Sequence, residues 1–245
     1  MPKNPKTGAS RLAEGVERFW GKYKSLCISI FERVPYAPAH EWILYLKGDI
    51  PGALKGGRGL FDNIRDSYAL AFISAFTLII ISFPIIAIIS QFFLSLASTL
   101  LIALLAGAPA FQVDFVAIMV LLALGVAGAI IAIPLINLLM AALLHIIAKV
   151  LGGKADFRST FSVLILSLAS VLMLSLPMAF IVVLSAYMLG LLNCIPYFYG
   201  IYALYRGIMW AHGLTPMRTV AALVIYFVLA NLPLVLVNLA LIVMP

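Results

Sequence analysis

Charge is what most of this chain lacks. Residues 67–245 contain seven Asp, Glu, Lys or Arg side chains, five of them basic, whereas residues 1–66 contain eighteen, eleven basic and seven acidic. A soluble domain carries about 25% charged residues; this chain carries 10%, with 64% hydrophobic types and a mean hydropathy of +1.15. Those values exclude a soluble globular protein and describe a polar head on a membrane body. Cysteine is scarce as well. Cys27 lies in the charged segment and Cys194 in an apolar run, so a disulfide framework is excluded and both are expected as thiols. No cleaved leader is expected, because the first uninterrupted apolar run begins only near residue 67.

Chemistry-bearing clusters are also missing. His40, His145 and His212 have no spacing that makes a metal pair, and no carboxylate cluster joins them. No Gly-rich phosphate loop follows a strand, and the segment Lys149–Arg158 lacks the Walker spacing. No metal, cofactor or catalytic residue is therefore expected, and the protein reads as a non-enzyme. A net charge of +7 does not indicate nucleic acid, since the basic residues border apolar runs; anionic lipid headgroups are the more economical partner.

What the chain has is long apolar runs. Charge-free stretches extend over residues 67–113, 115–148, 159–205 and 219–245. About 20 apolar residues cross a ~30 Å hydrocarbon core. The third stretch is long enough for a hairpin with its turn within Phe180–Gly190, and the second and fourth hold one span each. Basic residues occupy the N-terminal segment, Lys149–Arg158 and Arg206–Arg218, and are absent from the segments between. Cytosolic loops are enriched in Lys and Arg, and all three basic segments lie inside only if residues 67–148 cross an even number of times. The expected fold is thus all-α: a polytopic bundle of five transmembrane helices over 67–245 and a cytosolic N-terminal segment over 1–66. The N-terminus is inside and the C-terminus outside. The segment Phe92–Ala106 is left over, as a helix extension, an interfacial stretch or a re-entrant one. Pro84, Pro134, Pro177, Pro196 and Pro233 place one interior proline in each span, tolerated as kinks that help packing. Small residues at Gly125 and Ala129 allow close helix approach.

The N-terminal segment carries a helical period. Leu12, Val16, Phe19, Trp20, Tyr23, Leu26, Cys27, Ile30, Phe31 and Val34 share one face, and Arg11, Glu14, Glu17, Arg18, Lys22, Glu32 and Arg33 the other. This predicts an amphipathic helix of roughly 24 residues ended by Pro35, with Ile28 alone on the wrong side. Flanking cations and aromatics suit a helix in the cytosolic headgroup region; docking on the bundle or on a second copy is the alternative. Glu41–Lys47 reads as a second interfacial element. Gly52, Gly56, Gly57 and Gly59 read as a flexible joint before Leu60, Phe61 and Ile64.

Inside the body, Asp114, Lys149, Arg206 and Arg218 all fall at span ends or in loops. His145 precedes Lys149 by one turn and reads as a boundary histidine with a hydrogen bond. Gln91, Asn193, Tyr202 and Asn231 are the polar residues that a solute pathway would use, with Tyr197, Phe198, Tyr199, Tyr202 and Tyr205 as pocket or packing aromatics. His145, Asp156 and His212 are the one set from which a membrane-embedded enzyme would draw.

Two segments are the most informative. Leu143-Leu-His-Ile-Ile-Ala-Lys-Val-Leu-Gly-Gly-Lys-Ala-Asp-Phe-Arg-Ser-Thr-Phe161 ends a span near a histidine, turns at Gly-Gly-Lys and restarts at Phe-Arg-x-Thr. Tyr205-Arg-Gly-Ile-Met-Trp-Ala-His-Gly-Leu-Thr-Pro-Met-Arg218 gives an aromatic–Arg–Gly helix end and a His-Gly-Leu-Thr turn. Together they resemble the Yip family (Ypt/Rab-interacting membrane proteins) in its prokaryotic branch, over roughly residues 60–243. The resemblance implies five spans, a cytosolic N-terminus and a non-enzymatic role in membrane trafficking or organelle shape. The eukaryotic Asp-Leu-Tyr-Gly-Pro-like segment is replaced here by Gly59-Leu-Phe-Asp-Asn-Ile-Arg65, and a Gly-Tyr pair of the third span is absent, so binding of Rab-type GTPases is not implied.

The functional expectation is a membrane-organising or scaffold protein of the cell membrane. Arg11, Arg18, Lys22, Lys149, Lys154, Arg158, Arg206 and Arg218 would contact anionic lipid headgroups or a protein partner, a second copy included. A small-solute channel or permease is the rival.

Overall fold

A computed structural model of the protein describes the backbone of residues 8–55, 58–77, 79, 115–184 and 194–243, and side chains over most of these. Every described element is a helix: α1 (Gly8–Phe31), α2 (Ala39–Lys47), α3 (Ile50–Leu54), α4 (60–77), α5 (Phe115–Val150), α6 (Phe157–Leu184), α7 (Cys194–His212) and α8 (Pro216–Val243). Two of them contain segments long and apolar enough to cross a membrane, Ala123–Val150 in α5 and Phe157–Met178 in α6. Pro134 and Pro177 lie inside α5 and α6 as expected. Pro196 does not: α7 begins at Cys194, so this proline sits in the first turn, where its missing N–H costs nothing. α6 continues to Leu184, through the first half of the window expected to turn. The rest of that window, Phe92–Ala106, Pro84 and Asp114 lie outside the described residues.

α6 is the hub, packed against α1, α2, α3, α5 and α7, while α8 closes on α5 and α7. Phe161, Ile165, Leu166, Met173 and Leu174 are all at most 1% exposed. Thr160, Ser162, Ser167 and Ser170 are buried too, and each has a way to hide a hydroxyl. Ser167 and Ser170 donate to the carbonyls of Leu164 and Leu166 on their own helix, at 2.8 and 2.9 Å. Ser162 instead exchanges bonds with the wholly buried Asn63 of α4, at 2.9 and 3.1 Å. The outer faces of α5 and α8 remain apolar and exposed at Leu124, Ile131, Leu139, Val224 and Val228, as surfaces that meet lipid rather than water do.

The N-terminal segment belongs to this core. Trp42, Ile43, Tyr45 and Leu46 of α2 are buried, and Tyr45 donates through its hydroxyl to the carbonyl of Ala203 at 2.8 Å. The expected interfacial element therefore packs into the bundle instead of lying on it. Gly207 makes room, since a Cβ there would strike the Tyr45 hydroxyl and stand 2.5 Å from Val163 Cγ1. α1 has the expected length and ends at Phe31, four residues before Pro35. Its seat is on α6 beside α7: the Tyr23 hydroxyl donates to the carbonyl of Leu174, and Cys27, Leu46, Leu174 and Met178 close around it. Leu174 is seventeen residues beyond the first residue of α6, about 25 Å along that helix.

Ile28 explains the orientation. It packs against both core clusters, so the docking face is centred on Trp20, Lys24, Cys27 and Ile28, a quarter turn from the apolar stripe the sequence shows. Val16, Phe19, Leu26 and Ile30 are left exposed.

Candidate functional site at the loop end of the bundle

Two glycine turns build one end of the molecule. α5 ends where Gly152 takes φ +94°, and the N–H of Gly153 returns to the Ala148 carbonyl at 2.8 Å. α7 ends where Gly213 takes φ +62°, and the N–H of Leu214 returns to Met209 at 3.2 Å. Left-handed backbone of this kind favours glycine for want of a Cβ. The turns are tied to each other: Lys154 N–H donates to the His212 carbonyl at 3.1 Å, and Arg218 Nη1 reaches the Leu151 carbonyl at 3.4 Å.

Thr160 sits beneath them, fully buried, and joins three helices. Its Oγ1 lies 2.9 Å from His145 Nδ1, 2.9 Å from His212 Nε2 and 3.2 Å from the Asp156 carbonyl. A threonine hydroxyl has one proton and two lone pairs. Donating to the carbonyl leaves both lone pairs for N–H groups of the two rings, the one assignment that satisfies all three contacts with both imidazoles neutral. Burial pushes the His212 pKa down to about 4, and the nearby His145 and Lys149 add to the shift. His212 is 1% exposed, and its Nδ1 faces Gly153. His145 also stands edge-on to Phe157. The hydrogen bond expected of His145 is present, with Thr160 as its partner.

The set His145, Asp156 and His212 is brought together, but the carboxylate is turned away. Asp156 Oδ1 accepts from the Ser159 N–H at 3.0 Å as the cap of α6, and these bonds to Ser159 hold its pKa below the usual range. Among the described residues no group of three or more His, Cys, Asp or Glu side chains forms a metal site.

Around this node Lys149, Lys154, Arg158 and Arg218 are exposed, with Arg206 further along α7. None of the five is in an ion pair among the described residues. Arg18 is different, paired with Glu14 at 3.9 Å, and Lys22 is exposed on α1. The side chain of Arg11, and Gln91 and Asn193, lie outside the described residues. Tyr202 lines a small cleft with Tyr45, Gly48 and Arg206, whereas Asn231 is exposed and donates to the Phe227 carbonyl of its own helix at 2.7 Å.

One network was not foreseen. Arg58, in what reads as a flexible glycine joint, is buried; its Nη1 lies 2.6 Å from Asp66 Oδ2 and its Nε contacts Glu41. Tyr36 donates to the other Asp66 oxygen at 3.3 Å. The available signal was the inner face of α4, where Asn63, Asp66, Ser67 and Leu70 recur at helical spacing and are all buried.

Among the described residues every element is a helix, and two helices long and apolar enough to cross a membrane, with apolar outer faces and a cationic end, point to a membrane protein. The Yip1 domain model matches residues 61–239; the chain belongs to the Yip family. Neither the curated proteins nor the solved structures contain a match.

The node's packing gives a first expected outcome. Gly153→Ala would place a Cβ 2.7 Å from the Ala148 carbonyl and closer still to His212 Nδ1. Overpacking against fixed backbone costs ~1–3 kcal/mol, so thermal unfolding in detergent should shift down, whereas Gly125→Ala, inside α5 with nothing within 4 Å, should leave it unmoved or raise it slightly, since alanine favours the helix.

Proposed function

We propose that the protein is a non-enzymatic, membrane-organising scaffold whose loop end binds anionic lipid headgroups or a protein partner at the cytosolic face of the cell membrane. The observation that carries this reading is the group of exposed cations Lys149, Lys154, Arg158, Arg206 and Arg218 at or near one end of the bundle, none of them in an ion pair among the described residues, where Asp156 is the acidic neighbour and is spent on a helix cap. Two further features support it. The loops that present these cations are fixed to each other through Thr160 and His212, so the charges are displayed at set positions. α5 is 36 residues long, about 54 Å, well beyond a ~30 Å hydrocarbon core, which leaves length to carry Lys149 clear of the acyl region. Five spans, an inside N-terminus and an outside C-terminus complete the reading through the positive-inside rule.

Each Lys or Arg near an anionic surface contributes about 1 kcal/mol. Native mass spectrometry of protein released from vesicles of phosphatidylcholine and phosphatidylglycerol should therefore show selective retention of phosphatidylglycerol. In K149Q/K154Q/R158Q/R218Q that selectivity should fall at least tenfold, with the fold intact by thermal unfolding. Equal retention in the two proteins would overturn the lipid reading.

A further inference from the structure

The exposed stripe of α1 is the largest apolar feature in the N-terminal segment that nothing in the fold uses. Val16, Phe19 and Leu26 are each 55–56% exposed and Ile30 44%, although the same helix buries Tyr23 and Cys27 completely enough to have placed any of them inward. The stripe follows the 3–4 residue spacing of one helix face. It adjoins the docking face at Tyr23, on which Phe19 stacks with ring centroids 6.4 Å apart, and runs on beyond that contact along the outer side of the helix. On its far side it is bordered by the exposed Lys22 and Arg33.

The occupant follows from the helix's seat. α1 is pinned by Tyr23 to Leu174 and packs on Met178, both within the apolar segment Phe157–Met178 of α6. A helix held against the flank of a membrane-crossing segment has acyl chains as its neighbours. A second copy is the poorer fit: a few half-exposed side chains on one helix fall well short of the ~800 Å² per partner that a stable interface buries.

We infer that α1 is a lipid-contacting wedge, one flank docked on α6 and the other, Val16–Phe19–Leu26–Ile30, bedded in the acyl chains of the same bilayer. This rests on the family's membrane character and not on the loop-end cations, so either can fail alone. The test is site-directed spin labelling of the full chain in phosphatidylcholine–phosphatidylglycerol vesicles. Cys27 is fully buried and can stay; Cys194→Ser removes the exposed thiol. Single cysteines replace Phe19, Leu26 and Ile30 on the stripe, and Lys22, Ser25 and Ser29 on the polar side. All six positions are exposed, so none disturbs the packing. Stripe labels should relax strongly with oxygen and weakly with a water-soluble nickel complex, and polar-side labels the reverse. Stripe labels open to nickel would place the helix in water, and labels shielded from both reagents would mean protein covers it; either result overturns the inference.

Discussion

Replacing Arg58 with methionine is expected to destabilise the protein by about 3–5 kcal/mol, the usual cost of removing one partner from a buried ion pair. Asp66 has a side chain 1% exposed and takes its closest bond from Arg58, at 2.6 Å; Glu41 contacts the same guanidinium. Without Arg58 the Asp66 carboxylate keeps, among the described residues, the Tyr36 hydroxyl and the outlying Arg65, at 3.3 and 3.5 Å, and most of its desolvation goes uncompensated. The consequence is specific in place. Glu41 lies on α2 and Asp66 on α4, so the loss should loosen α2 from α4 first, and amide exchange should rise over residues 39–54 before it rises in α6. A double-mutant cycle separates charge from shape: R58M/D66L, with both main charges gone, should recover a large part of the loss. Equal destabilisation in the single and double variants would show that the network matters through packing alone.

The second large effect is on pH. His212 has a folded pKa of about 4 against 6.5 for the free side chain. The unfolded chain therefore takes up a proton between these values while the folded one does not, and stability falls as pH drops from 6.5 toward 4. Each unit of difference is 1.36 kcal/mol, so the loss approaches about 3 kcal/mol by pH 4. Asp156 works in the same sense at still lower pH, because its depressed pKa contributes stability that is lost as pH falls through it. The check is thermal unfolding in detergent across this window, with His212→Gln compared with the wild type. The variant should be less stable near neutral pH, where it loses the Thr160 bond or the Gly153 packing, and its stability should vary less between pH 6.5 and 4. Parallel profiles would mean that His212 is not the group that titrates.

The helices were legible where one period or one boundary ruled. α1 has its length in the sequence, because a 3.6-residue period defines it, and its end to within four residues, since it stops at Phe31 ahead of Pro35. The two glycine turns were legible for the same local reason, and they frame the loop end where the structure places them. Thr160 was not. It appears in the sequence as one letter of a Phe-Arg-x-Thr segment, and its role exists only once His145 and His212, fifteen positions before it and fifty-two after it, converge on one oxygen. The Arg58–Asp66 network was hidden by context: charged residues beside glycines read as a solvated joint, and burial that depends on α2 folding over α4 has no local signature. Ile28 shows the opposite case. It broke the helical pattern, and that break marked which way the helix faces its seat.

Everything attributed to the loop end requires that it face the anionic, cytosolic leaflet. The direct measurement is labelling of a single cysteine at Lys154, in a Cys194→Ser chain, with a membrane-impermeant maleimide on intact cells and on inverted vesicles. The account predicts reaction in inverted vesicles and none in intact cells until they are permeabilised. Labelling of intact cells would put the cations on the outer surface and contradict it.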